Sequence, residues 1–115
     1  MQQIEAKLFE AADHVFYGSA DDLENNALWN YIVFWRDSTK RNDNKTSFTD
    51  YYTVAIVQEN WVADELIEQV ITLMESLSGM RLANSEIDFN YSRKPGTNAV
   101  IEIATLTFSR PRKKG

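Results

Sequence analysis

The side chains that could carry out acid–base, nucleophilic or metal chemistry are few in this chain. Its one histidine, His14, stands beside Asp13 and would have to serve any catalytic triad or imidazole-based metal centre. A metal site needs three or four converging ligands, and no Gly-x-Ser-x-Gly turn is present to carry a serine nucleophile. There is no cysteine, which excludes disulfides and thiolate sites. We therefore predict no catalytic residue, no metal site, no cofactor and no enzymatic activity.

The acidic residues also give no clear candidate for a catalytic or metal-binding site. Three of them lie close together in a polar connection without the spacing of a calcium-binding loop: Asp21, Asp22 and Glu24. We interpret this connection as a solvated segment. Glu102 interrupts an otherwise apolar stretch, where it either points outward or meets Arg93 or Lys94 across a turn. The four glycines form no phosphate-binding loop.

Two stretches, 28–36 and 47–57, are dense in aromatic and β-branched residues and contain no Gly or Pro. Such residues suit strands, so we predict an antiparallel hairpin whose polar connection, 37–46, is a long exposed loop. Alternation places an apolar set on each face of the first strand: Trp29, Tyr31, Val33 and Trp35 on one, Leu28, Ile32 and Phe34 on the other. Apolar residues on both faces predict that helices cover one side and another subunit covers the other.

Two amphipathic helices flank this hairpin. Residues 3–16 have apolar side chains at helical spacing. A second stripe, between Leu66 and Leu77, predicts a helix that Asn60 caps and that Gly79 ends in a left-handed conformation.

Two more strands complete the predicted fold. Residues 87–92 alternate apolar and polar side chains, and 99–108 is apolar on both faces. The order α-β-β-α-β-β predicts an α+β fold, with a four-stranded, mainly antiparallel sheet and two helices on one face. We expect a single domain at 1–108 and a flexible basic tail at 109–115.

The net charge of −5 is unevenly distributed. Residues 109–115 carry four basic and no acidic side chains, which leaves −9 for residues 1–108. An acidic body repels DNA phosphates, whereas the basic end could bind nucleic acid or an acidic neighbour. No apolar run approaches the roughly 20 residues that cross a bilayer, and the N-terminus lacks signal-peptide features. We therefore expect a protein made and kept in the cytosol, without a membrane partner.

The best candidates for an interface are aromatic or basic. The aromatic set could stack RNA bases, but no basic residue lies between positions 28 and 35, which favours core or subunit contact. A ten-residue connection is long for a hairpin, which suggests an arm that reaches a neighbour. The candidates are Trp29, Tyr31 and Trp35 on the first strand, Arg36, Lys40, Arg41 and Lys45 in or beside the arm, and Arg110, Arg112, Lys113 and Lys114 in the tail.

The element order, the length and three segments together resemble the tail terminator and head–tail joining proteins of long-tailed bacteriophages. The segments are Leu-Trp-Asn-Tyr-Ile-Val-Phe-Trp-Arg, Thr-Asp-Tyr-Tyr-Thr-Val-Ala-Ile-Val and Ile-Glu-Ile-Ala-Thr-Leu-Thr-Phe-Ser-Arg-Pro-Arg-Lys. The resemblance implies a non-enzymatic virion protein, a homohexameric ring assembled in the host cytoplasm. That ring would sit at the head–tail joint, cap the tube of major tail protein and dock the head connector, while DNA passes through its lumen without specific binding.

Two alternatives remain open at the level of sequence. One is a small nucleic-acid-binding α+β protein that uses the basic tail and the aromatic strand. The other is a small-molecule-binding or enzymatic α+β domain, with its site in a deep pocket or between two subunits.

Overall fold

The computed structural model describes residues 2–18, 30–43, 47–83, 86–93 and 96–113. These residues form two helices and six strands, which in chain order are α1 (Gln2–Leu8), β1 (Val15–Tyr17), β2 (Tyr31–Arg41), β3 (Ser47–Glu59), α2 (Asp64–Glu75), β4 (Arg81–Leu82), β5 (Asp88–Arg93) and β6 (Val100–Lys113).

All six described strands belong to one mixed sheet of order β1-β2-β3-β6-β4, with β5 also paired to β6. Strand β1 is parallel to β2, and the other pairs are antiparallel. The prediction of a four-stranded sheet with the order α-β-β-α-β-β is therefore wrong. Strands β1 and β4 have three and two residues, and so short a stretch carries too few residues to show a periodic pattern.

Both helices pack on one face of the sheet. Its side chains come from alternate positions of the three long strands, and the buried members are Ile32, Phe34, Tyr52, Val54, Ile56, Ala104, Leu106 and Phe108. The helices contribute a matching apolar set: Ile4, Leu8, Ile67, Val70 and Met74. Burial of each large side chain stabilises the fold by roughly 1.5–3 kcal/mol. The alternation predicted for Ile32 and Phe34 is confirmed, because they are 0% and 1% exposed.

Helix α1 is shorter than the pattern predicts. It ends at Leu8, and tight turns such as the one from the Ala11 amide to the Leu8 carbonyl follow. Ala11 and Ala12 still pack against the core. Val15 reaches the core from β1 instead, since Val-Phe-Tyr suits the edge of a sheet better than the end of a helix.

Helix α2 begins four residues after the predicted cap. Ala63 occupies the N-cap position without a side-chain hydrogen bond, and Asn60 instead adopts φ +75° at the end of β3. The Asn60 amide donates to the Val100 carbonyl at 2.7 Å, so the turn is tied to β6. Gly79 has the predicted left-handed conformation, with φ +79°, but it does not end the helix, because α2 ends at Glu75 with Ser76 as its C-cap.

Three strands continue past the last core positions, Tyr52 and Phe108. Residues 37–41, 47–50 and 110–113 form this extension. It includes part of the arm predicted at 37–46, and from here on the word arm means these three segments. The segment 37–46 is thus not a ten-residue loop, because residues 38–41 pair with β3 after a bulge at Asp37. The C-terminal segment is also paired with β3 as far as Lys113. The described residues extend over 52 × 27 × 23 Å.

Candidate assembly surfaces

The second face of the sheet is apolar and receives neither helix. We call it the open face, and β2 supplies its largest side chains, Tyr31, Val33 and Trp35, all of them half-buried. The strand register places three cross-strand rows on it: Tyr31–Val57–Ile103, Val33–Ala55–Thr105 and Trp35–Thr53–Thr107. Large residues therefore follow β2, small ones follow β3, and threonines occupy two of the three rows on β6. The three β3 residues of the open face, Thr53, Ala55 and Val57, are only 4–5% exposed, so its accessible surface lies along β2 and β6.

The open face includes an aromatic contact between β1 and β2. Phe16 from β1 lies edge-on to Tyr31, with ring centroids 5.9 Å apart. Partial burial raises the pKa of the Tyr31 hydroxyl, so Tyr31 stays neutral at physiological pH. Trp29, the third predicted aromatic candidate, lies outside the described residues.

The arm is organised around a buried acid, Asp50, which is only 4% exposed. The Arg112 guanidinium donates to both of its carboxylate oxygens, at 2.9 and 3.3 Å, and the Thr39 hydroxyl donates to Oδ1 at 2.7 Å. The Arg112 guanidinium also lies 5.1 Å from the centroid of the Phe48 ring. The hydrogen bond from Arg112 holds the pKa of Asp50 below its ordinary value, against the opposing effect of burial. Arg112 is therefore engaged within the chain.

Two further arginines approach this pair and form a cleft of about 490 Å³, which we call the arginine cleft. Its lining residues are Arg36, Asp50, Tyr52, Arg110, Pro111 and Arg112. Within the described residues, no carboxylate forms a salt bridge with Arg36 or Arg110. Three guanidinium groups thus surround one carboxylate, and the cleft keeps an excess of positive charge.

The structure describes only some of the remaining basic candidates. Lys40 and Arg41 are exposed on the arm, where Lys40 lies opposite Thr49 and Arg41 opposite Phe48. The two therefore point to opposite faces of the arm. Lys45 and Lys114 lie outside the described residues, as does the side chain of Lys113. The structure thus brings Arg36, Arg110 and Arg112 together and separates them from the aromatic pair on the open face.

The far end of β3 carries exposed apolar side chains that the sequence did not single out. Trp61 follows Asn60 and is 71% exposed, and Tyr91 on β5 is 65% exposed. Glu102 joins the two segments, because it accepts a 2.7 Å hydrogen bond from the Val62 amide and also bonds the Tyr91 hydroxyl. This last bond raises the pKa of Tyr91. Glu102 therefore does not form the predicted contact with Arg93, whose guanidinium donates to the Asn98 carbonyl instead. Lys94, the other predicted partner, lies outside the described residues.

The residues considered for chemistry do not form a site in the part of the chain that the structure describes. His14 is exposed, and its carbonyl accepts a hydrogen bond from the Ile32 amide. No group of three metal-ligating side chains occurs there, and Asp21, Asp22 and Glu24 lie outside it. None of the described helices is long and apolar enough to traverse a lipid bilayer.

One signal could have pointed to the arginine cleft. Asp50 is an isolated acid in a strand of aromatic and β-branched residues, and a buried carboxylate requires partners. The sequence could not identify Arg112 as that partner, because its position depends on β6 continuing past Pro111. Trp61 gave no signal at all, since an aromatic residue before a helix is most often buried.

No protein-family model matches the chain, and no curated protein matches its sequence. The resemblance to phage proteins therefore rests on the three quoted segments and on the chain length, because the element order that also suggested it is not the order of the fold.

Proposed function

We propose that the chain is a structural protein that assembles with copies of itself into a ring. We further propose that this ring is a tail terminator at the head–tail joint of a long-tailed bacteriophage, within the virion. The first statement rests on the surfaces of the molecule, and the second rests on the resemblance of its sequence.

The open face is the observation that carries the assembly proposal. Tyr31, Val33 and Trp35 form an apolar strip that neither helix covers, and an apolar patch of this kind is typical of protein–protein contact. Aromatic residues at such a surface contribute most to binding when a partner excludes water from them. We infer that the open face packs against a neighbouring copy of the chain.

The arm supports the same proposal. Three paired strands continue beyond the core, and they carry charged side chains to one end of the described residues, which extend over 52 Å. A projecting arm of this kind can reach a neighbouring subunit. In the assembled particle the acidic body would surround DNA without gripping its phosphates.

A charge on the open face tests the assembly proposal. We expect Trp35→Glu to lower the mass of the wild-type assembly, as measured by light scattering, because a carboxylate cannot be buried there without a partner. Thr72→Glu adds the same charge to the exposed side of α2 and is expected to leave the mass unchanged. Circular dichroism checks that both variants fold. An unchanged mass for Trp35→Glu would show that the open face is not an assembly surface.

Tail length tests the identity of the ring. We expect purified chain, added to polymerising tail-tube protein encoded beside it, to stop tube growth and to appear as a cap in electron micrographs. Tubes of unchanged length without a cap would reject the tail-terminator proposal and leave the assembly proposal standing. The gene itself is expected between the capsid–portal block and the major tail protein gene.

A further inference from the structure

The exposed apolar side chains around the end of β3 form a second patch, which we call the aromatic end. Its members are Trp61, Phe89, Tyr91 and Val100, each of them more than a third exposed. The Asn60 amide binds the Val100 carbonyl, and Glu102 joins the Val62 amide to the Tyr91 hydroxyl, so the patch is held on a hydrogen-bonded frame. Tryptophan and tyrosine are the residues that most often anchor protein interfaces.

The aromatic end is bordered by acids on the side of α2 and by Arg93 on β5, which lies opposite Val100. Asp64 and Glu65 lie in the first turn of α2, three and four residues after Trp61, and both are exposed. An aromatic surface beside carboxylates is suited to a guanidinium group, which stacks on the ring and donates hydrogen bonds to the acid at the same time. The chain contains one such arrangement already, in the contacts of Arg112 with Phe48 and Asp50.

The arginine cleft and the aromatic end lie at opposite ends of the same strands. Strand β6 begins at Val100 in the aromatic end and reaches Arg112 in the cleft, a span of about 40 Å at ~3.3 Å per residue. The two patches therefore cannot meet within one chain. Two complementary patches at opposite ends of a subunit are what a head-to-tail contact requires, and such contacts close into rings when the rotation allows.

We infer that the arginine cleft of one copy receives the aromatic end of the next, with Arg36 and Arg110 against Trp61, Tyr91 and the acids of α2. The inference rests on the proposed ring and specifies how its subunits meet. A second copy is favoured as the occupant because the same chain supplies the complementary charge and the aromatic rings.

Cross-linking tests this contact directly, because the natural chain has no cysteine. One variant carries Ala63→Cys beside Trp61, and another carries Pro111→Cys in the cleft; both positions are exposed. We expect a bis-maleimide to join the two variants, when mixed, into a dimer of about 27 kDa, twice the mass of the 13.3 kDa chain. Neither variant alone should give this dimer in comparable yield, because the contact is not symmetric.

Two controls separate a specific contact from random collision. Thr72→Cys in place of Ala63→Cys is expected to lower the yield of mixed dimer at least tenfold. Adding Arg36→Glu and Arg110→Glu to the Pro111→Cys variant is expected to do the same, because like charges then face Asp64 and Glu65.

The outcomes distinguish the two proposals. If the wild-type protein assembles but the two cysteine variants give no mixed dimer, or if Ala63→Cys cross-links with itself in comparable yield, the head-to-tail contact is overturned and the assembly proposal stays intact. The cleft would then belong to another partner. A wild-type protein that stays monomeric under the conditions of the experiment contradicts the assembly proposal itself.

Discussion

At the scale of the residue, the most informative side chains are acids that bind parts of the chain itself. Asp50 is nearly inaccessible and holds the tip of β6 through Arg112. Glu102 holds the start of α2 to β6 through the Val62 amide. Both are polar groups in otherwise apolar strands, a position that often marks chemistry. Here Asp50 and Glu102 each accept hydrogen bonds that hold two segments of the chain together.

Replacement of Asp50 tests the first of these roles. We expect Asp50→Asn to lower the free energy of unfolding by about 1–3 kcal/mol at pH 7, because the charged hydrogen bonds to Arg112 are lost. The pKa of Asp50 is lower in the folded protein than in the unfolded chain. Its contribution is therefore complete above the unfolded pKa, near 4, and is lost as the pH falls through the folded pKa.

Urea unfolding at a series of pH values measures this effect. The difference between wild type and Asp50→Asn should be constant from pH 7 to about pH 5 and should shrink below about pH 4. Asp13→Asn, an exposed aspartate, is the control and should change stability by less than about 0.5 kcal/mol. Equal stability of Asp50→Asn and wild type at pH 7 would show that the Arg112 pair contributes nothing.

Replacement of Glu102 tests the second role. Glu102→Ala leaves the Val62 amide without its acceptor, and we expect a loss of about 1–3 kcal/mol in unfolding free energy. Glu102→Gln keeps an acceptor oxygen at the same place and should lose clearly less. Thermal or urea unfolding measures both variants, and an Ala variant as stable as the Gln variant would contradict this role.

At the scale of the element, the turn at Asn60 fixes where β3 ends and where the aromatic end begins. Asn60 has φ +75°, a conformation that glycine and asparagine tolerate and that β-branched residues avoid. We expect Asn60→Val to cost about 1–2 kcal/mol and Asn60→Gly to stay within about 0.5 kcal/mol of wild type. Thermal melts of the variants give the free energies of unfolding that are compared. Gln58→Val, in the extended part of β3, is the control, and a Gln58→Val loss as large as that of Asn60→Val would reject the assigned strain.

The elements that depend on a buried core could be predicted from the sequence. Ile32 and Phe34 alternate with the residues of the open face, and the stripe of α2 has helical spacing, because each pattern reports burial on one side. The arm carries no such pattern. Residues 37–41 are polar because both faces of the arm are solvated, so composition alone indicated a loop there.

The candidate surfaces were predicted only in part. Tyr31, Trp35 and the arginines were singled out for their residue types, but the arginine cleft depends on strand register. Arg36 and Arg110 line the same cleft because Arg36 pairs with Tyr52 and Arg110 pairs with Asp50, two positions that share one face of β3. Neither pairing produces a periodic pattern in the sequence. Strand β1, which has three residues, is too short to show such a pattern.

At the scale of the whole molecule, charge is divided between an acidic body and a basic arm. Residues 1–108 carry a net −9, and Arg112 is already paired with Asp50. This distribution disfavours a long basic track for nucleic acid and favours contact between the ends of two subunits.

Binding to DNA tests this distinction. We expect a labelled DNA duplex at about 150 mM salt to show half-saturation only above roughly 100 µM protein, weaker than ordinary non-specific binding. Fluorescence anisotropy measures it, and the same titration with Arg36→Glu should be indistinguishable. Tight, salt-sensitive binding that Arg36→Glu abolishes would favour the nucleic-acid-binding alternative.

We propose that the molecule assembles with copies of itself, and its mass in solution is the quantity that this assembly must change. Light scattering coupled to gel filtration, over a hundredfold range of protein concentration, should give a defined assembly. A hexameric ring would have a mass of about 80 kDa, six times that of the 13.3 kDa chain. A constant mass of 13.3 kDa at every concentration would contradict the account.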